Sequence, residues 1–217
     1  MFSARRSFAA LPIVFALVGA GCSGSSTPAP PPATSESPAA APPTKRVVGP
    51  LSDADAAALA TMNDKLKSYL ELHLKLEATL PKLPDDATPT QVDANQRQFE
   101  KLMRSARTTA KQGDLFTPEA QVVIKRLLAT VFAGPEGQEL KASIMDENPV
   151  ALKLAVNGRY PDAVPISTMP PLVLQTLPKL NENLEYRFIG DNLIILDMHA
   201  HVIADYIEDA LPRTIKP

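Results

Sequence analysis

The sequence predicts an α+β fold in which a small helical bundle, a long helical hairpin plus two shorter helices, precedes a small antiparallel β-meander. Two patterns predict it. From Leu59 to Leu80 apolar or bulky residues recur at alternating spacings of three and four, the repeat of a long helix with one buried face. Beyond Pro149 the repeat shortens to two, and Gly190-Asp191-Asn192 separates two apolar runs with residue types that tolerate tight turns. Hydrophobic residues make up 45% of the 217, enough to build a core and to exclude wholesale disorder.

The first helix opens at Ser52, a good N-cap, with Asp55 completing a capping-box-like pair. Leu59, Met62, Leu66, Tyr69, His73, Leu76 and Leu80 carry its stripe. Leu70, Leu72 and Leu74 widen it, predicting burial on two faces or against a partner helix. Pro81, Pro84 and Pro89 interrupt the chain, and Thr90 with Asp93 is expected to start the second helix. Its apolar face is Val92, Phe99, Leu102, Met103, Ala106 and Ala110, and Gly113 is its expected C′ residue. So short a connection brings the two back antiparallel.

Thr117-Pro118-Glu119 reads as an N-cap followed by an N1 proline, opening a third helix through Val122, Leu127, Leu128, Val131 and Phe132 to Gly134-Pro135. A shorter helix is expected from 136 to 145. Val150, Leu152, Leu154 and Val156 then alternate as a strand would. Pro170-Pro171 opens a turn or two of helix ending at Pro178, and strands are expected over 184–189, 193–197 and 201–207.

The N-terminus carries a different message. Arg5 and Arg6 precede an uncharged apolar run from 8 to 18, too short to span a bilayer and of the length of a cleaved signal core. Val18-Gly19-Ala20-Gly21-Cys22 resembles a bacterial lipobox, with Gly19 where Leu is commoner. The resemblance implies a signal peptide over 1–21, a diacylglyceryl group on the Cys22 thiol and an acylated new amino terminus. Several acyl chains hold a protein on a membrane where one would not, at about 0.8 kcal/mol per buried methylene. Arg5-Arg6-Ser7-Phe8 also resembles the core of a twin-arginine signal, although an ordinary positive n-region accounts for the pair as well. Ser23, following the lipidated Cys, points to the outer membrane, periplasmic side.

Residues 23–50 hold eight of the 22 prolines and no aromatic residue. Such a segment cannot bury enough apolar surface to offset its ordering entropy, so 22–50 is read as a lipidated Cys followed by a disordered tether reaching roughly 85 Å when extended. The folded part is divided into a helical region, 51–148, and a β-rich region, 149–217, packed on it as one domain.

Charge and composition exclude several functions. With 22 basic and 24 acidic side chains the net charge is −2, and removal of Arg5 and Arg6 leaves 20 against 24, or −4. Nucleic acid is therefore not an expected partner, and charge alone does not bind anionic lipid. The single cysteine builds neither a disulfide nor a multi-cysteine zinc site, and lipidation removes it as a nucleophile. No nucleophile elbow, phosphate-cradling glycine loop or zinc-protease helix occurs. Catalytic residues and cofactors are not expected.

The run Leu184-Glu185-Tyr186-Arg187-Phe188-Ile189-Gly190-Asp191-Asn192-Leu193-Ile194-Ile195-Leu196, with Val202-Ile203-Ala204-Asp205-Tyr206-Ile207, is similar to the C-terminal module of RcnB-like small periplasmic proteins. That resemblance, over about 30 residues, implies a connection with nickel and cobalt homeostasis. Ala200-His201 stands where that module often has Thr-Gly. One metal constellation is available: Asp197, His199 and His201 alternate, so an extended chain would project all three to one side. A bend would scatter them, and the favoured reading is of two surface histidines in a turn, His201 being a residue type tolerated at positive φ. His73, in the helical stripe, is expected to be a partly buried boundary residue.

The expectation is a membrane-anchored, periplasm-facing lipoprotein that binds or scaffolds an envelope protein or the cell wall. A metal-responsive periplasmic protein is the first alternative, and an envelope hydrolase with distant carboxylates the second.

Overall fold

The computed structural model describes residues 49–147, 153–164 and 166–212. The expected leader, Cys22 and almost all of the expected tether lie outside the described residues. Among the described residues five helices precede a three-stranded sheet: α1 (Asp53–Glu77), α2 (Pro89–Ala106), α3 (Pro118–Val131), α4 (Gly134–Glu147), α5 (Pro171–Thr176), β1 (Leu184–Ile189), β2 (Asn192–Asp197) and β3 (Val202–Ile207). The fold is α+β, with the expected meander in the order β1-β2-β3. Among the described residues no helix is long and apolar enough to cross a membrane.

Local chemistry sets the helix starts. Ser52 accepts from the Asp55 N–H and Asp55 accepts from the Ser52 N–H, closing a capping box on α1. The second helix starts two residues before Thr90: Thr88 and Gln91 form the box, so Pro89 is an N1 residue and not a breaker. Thr117 caps α3 as expected. Gly113 is not the C′ residue of α2, which ends at Ala106 with Arg107 as its cap. Gly113 lies in the following loop at φ 89°, a conformation that lets its N–H point at Asp205.

Leu59, Met62, Leu66, Tyr69 and His73 are the buried residues of α1, and Leu70 and Leu72 are half-buried. Leu74 is exposed at 53%, so the wide stripe is not buried on every side. Val92 and Val122, placed on apolar faces by periodicity, are also exposed. The half-turn that Val92 would cover is taken instead by Asn95, a buried polar residue.

Gly190 at φ 57° and Asp191 form the two-residue connection of β1 to β2, from Ile189↔Asn192 to Leu184↔Asp197. Between β2 and β3 the register shifts: Ile195 faces Asp205 and Leu196 faces Ile203, which leaves Ala204 as the extra residue of a bulge. One sheet face, with Leu193, Ile195, Val202, Ala204 and Ile207, shares a core with α1, α2, α3 and α5. Ile194, Leu196 and Ile203 on the other face pack under Tyr160, Leu154 and Val164.

That second cover corrects the strand expected over Val150 to Val156. Residues 148–152 lie outside the described residues, and 153–156 form no strand. Asn157, at φ 62°, turns the chain instead. The following residues run along β3: Asn157 N–H donates to the Ile203 carbonyl (2.8 Å), Ile203 N–H to the Gly158 carbonyl (2.8 Å), and Tyr160 N–H to the His201 carbonyl (3.0 Å). Pairing at this edge covers its backbone groups and closes the outer face with Tyr160.

Candidate functional site

Tyr69, His73 and Glu77 are four residues apart on α1 and so share one face of it. That face meets the end of β2. Asp197, the last residue of β2, is fully buried, and its Oδ2 accepts from the Tyr69 hydroxyl (2.7 Å) and from His73 Nδ1–H (2.7 Å). Its Oδ1 accepts from the Ala200 N–H (2.8 Å), which closes the turn from β2 to β3. Both carboxylate oxygens are thus spent inside the protein. Burial, with the Asp197 carboxylate beside it, pushes the Tyr69 hydroxyl well above its ordinary value, so Tyr69 remains a donor. The Arg107 guanidinium lies 4.7 Å from the centroid of the Tyr69 ring.

Hydrogen bonding assigns the histidine tautomers. His73 gives its Nδ1 proton to Asp197, so in the neutral ring the lone pair falls on Nε2; that atom is buried with no hydrogen-bond partner and lies 3.7 Å from Glu77 Oε2. Asn95 Nδ2 donates to the Pro81 carbonyl (3.1 Å), which turns its Oδ1 toward His199 Nε2 (3.0 Å). The oxygen can only accept, so His199 Nε2 carries hydrogen. Its Nδ1 then faces Glu77 Oε1 at 2.8 Å.

Two ring nitrogens from opposite ends of the fold therefore converge on the two oxygens of one carboxylate. The donor atoms of His73, Glu77 and His199 all lie within 4.8 Å of one another. Phe99 packs against both rings, with centroids 4.8 Å from His73 and 4.7 Å from His199. Beside them a cleft of about 480 Å³ is lined by Glu77, Leu80, Pro81, Leu83, Asn95 and His199. Glu77 and His199 are half-buried and reach it, while His73 is sealed beneath.

The structure does not gather Asp197, His199 and His201. The strand ends at Asp197 and a turn follows, with His201 at φ 55°. Asp197 points to His73, His199 to Glu77, and His201 to the Tyr160 ring, 5.7 Å between centroids, with its Nε2 3.7 Å from Asp162. His73 is not a boundary residue but fully buried. Glu77 and Asn95 escaped the sequence reading. Their available signals were a histidine and a glutamate at helical i, i+4 spacing, and an amide at an apolar position.

Asp205, on β3, makes a second buried polar knot. It accepts from the N–H groups of Gly113 (3.0 Å), Leu115 (2.8 Å), Phe116 (2.8 Å) and its neighbour Tyr206 (2.8 Å). Nearby, Arg107 donates to Asn157 Oδ1 (2.6 Å) and, through the bulge, to the Ala204 carbonyl (3.1 Å).

No protein family, curated protein or solved structure matches this chain.

Proposed function

We propose that this protein is a lipid-anchored envelope lipoprotein, held at Cys22 on the periplasmic face of the outer membrane, whose body acts by capturing a ligand at the His73–Glu77–His199 corner. The observation that carries the binding role is the buried His73 Nε2, a ring nitrogen without a hydrogen-bond partner, 3.7 Å from a carboxylate that lines an open cleft. An orphaned buried acceptor costs about 1–3 kcal/mol, a cost that a bound group would remove. The lipobox-like residues ending at Cys22 support the anchor, and the proline-rich segment supplies the reach. The corner offers no activated nucleophile: the side chains at the cleft are carboxylate, imidazole, amide, lysine and aliphatic groups.

Intact cells test both parts. Mass spectrometry of the natively produced protein is expected to find an acylated Cys22 and no leader, and an unmodified thiol would overturn the anchor. Brief diethyl pyrocarbonate treatment of cells is expected to label His199 less than in purified, dialysed protein. Equal labelling would overturn capture at this corner.

A further inference from the structure

We infer that the ligand of this corner is a divalent first-row transition metal ion of the Zn²⁺, Co²⁺ and Ni²⁺ group, held by His73 Nε2, the Glu77 carboxylate and His199 Nδ1. The inference rests on the binding reading above and supplies the ligand that it leaves open.

Each imidazole has its far nitrogen committed elsewhere: His73 Nδ1 to Asp197, His199 Nε2 to Asn95. This is the arrangement found behind metal-bound histidines, in which an outer carboxylate or carbonyl oxygen sets the tautomer and turns the ring toward the ion. Tyr69 and the Ala200 N–H steady Asp197 in turn, and the Pro81 carbonyl steadies Asn95. The near nitrogens then face the same carboxylate at 2.8 Å and 3.7 Å. Donors about 2.0–2.1 Å from a tetrahedral ion stand roughly 3.4 Å apart, a separation that falls between those two distances.

The donor set chooses the ion. Two imidazoles and one carboxylate suit borderline divalent ions, whereas Ca²⁺ and Mg²⁺ require shells of oxygen. A divalent cation would stabilise the His73 lone pair directly and take the place of the proton that must otherwise lie between His199 Nδ1 and Glu77. The cleft leaves room for a fourth ligand, water or a group from outside.

The test uses the mature full-length protein, extracted in detergent, stripped with chelator and titrated calorimetrically with Zn²⁺ alone and with Co²⁺ alone. One equivalent is expected to bind at micromolar metal, with Co²⁺ developing the visible bands of a four-coordinate site. His199→Ala and Glu77→Gln, both at half-exposed side chains, are each expected to weaken binding by about tenfold or more while keeping the helical circular dichroism spectrum of the parent. His201→Asn is expected to bind like the parent. Absence of binding, parental affinity in either ligand variant, or loss in His201→Asn would overturn the assignment. Protection of His199 in cells without any metal binding in vitro would remove the metal and keep the capture site.

Discussion

Two buried aspartates on adjacent strands, Asp197 and Asp205, solve the same physical problem in different ways. A carboxylate removed from water must recover its hydrogen bonds, or it costs several kcal/mol. Asp205 recovers them from four backbone N–H groups, three of them in the loop between α2 and α3. Asp197 recovers them from one backbone N–H and two side chains, Tyr69 and His73. The backbone solution ends where it begins, because an N–H has nothing further to offer. The imidazole solution passes the consequence on: fixing Nδ1 of His73 leaves the buried Nε2 facing Glu77 without a hydrogen bond. Asp205 is thus a clamp, whereas Asp197 is an orienting device that fixes the direction of the His73 ring.

The largest effect should come from cutting the clamp. Asp205→Ala leaves the Leu115 and Phe116 N–H groups buried without an acceptor, and a loss on the order of 3–5 kcal/mol is expected in chemical denaturation, with α3 unlatched from β3. Asp197→Asn keeps shape and one acceptor oxygen but loses the charge that receives both Tyr69 and His73. A smaller loss of about 1–3 kcal/mol is expected. If Asp197 orients His73 for an ion, the same variant also weakens Zn²⁺ binding by roughly 10–100-fold, whereas Asp205→Asn leaves it unchanged. Equal effects of the two substitutions on metal affinity would erase the distinction between clamp and orienting device.

The smallest effect belongs to an aspartate at the surface. The Arg126 guanidinium, together with Ser52, holds the Asp55 carboxyl down to about 2. A folded-state value below the ordinary one contributes stability that is complete above about pH 5 and lost as pH falls from about 3.8 toward 2. Water reaches the Arg126 side of this pair and screens it, so the loss should be well below those of the buried aspartates. Denaturation at pH 5 and pH 2.5 is expected to show a larger acid-induced loss in the parent than in Asp55→Asn.

Legibility followed the range of the interactions. Ser52, Asp55 and Thr117 announce helix starts because a cap acts over three residues, and Gly190-Asp191 announces a hairpin because a two-residue turn does the same. The start of α2 was misplaced only because two threonines, Thr88 and Thr90, both stood in reach of a plausible partner. The alternation through Val150, Leu152, Leu154 and Val156 misled for another reason. Apolar residues also alternate in an irregular segment laid across a sheet, and Asn157 turns the chain where periodicity extends it. The alternation of Asp197, His199 and His201 failed likewise, since a shared side requires extended backbone and the β2–β3 turn bends it.

From its residue order alone this chain determined its class, the N-caps of α1 and α3, its meander and the stripe that carries Tyr69 and His73, all matters of period and near neighbours. Tertiary structure alone decided that His199 would meet Glu77 across 122 positions and that Asp197 would turn inward to His73 across 124. Those encounters depend on how α1 packs against the end of β2. Such packing is set by the summed burial of both partners, which no local pattern encodes.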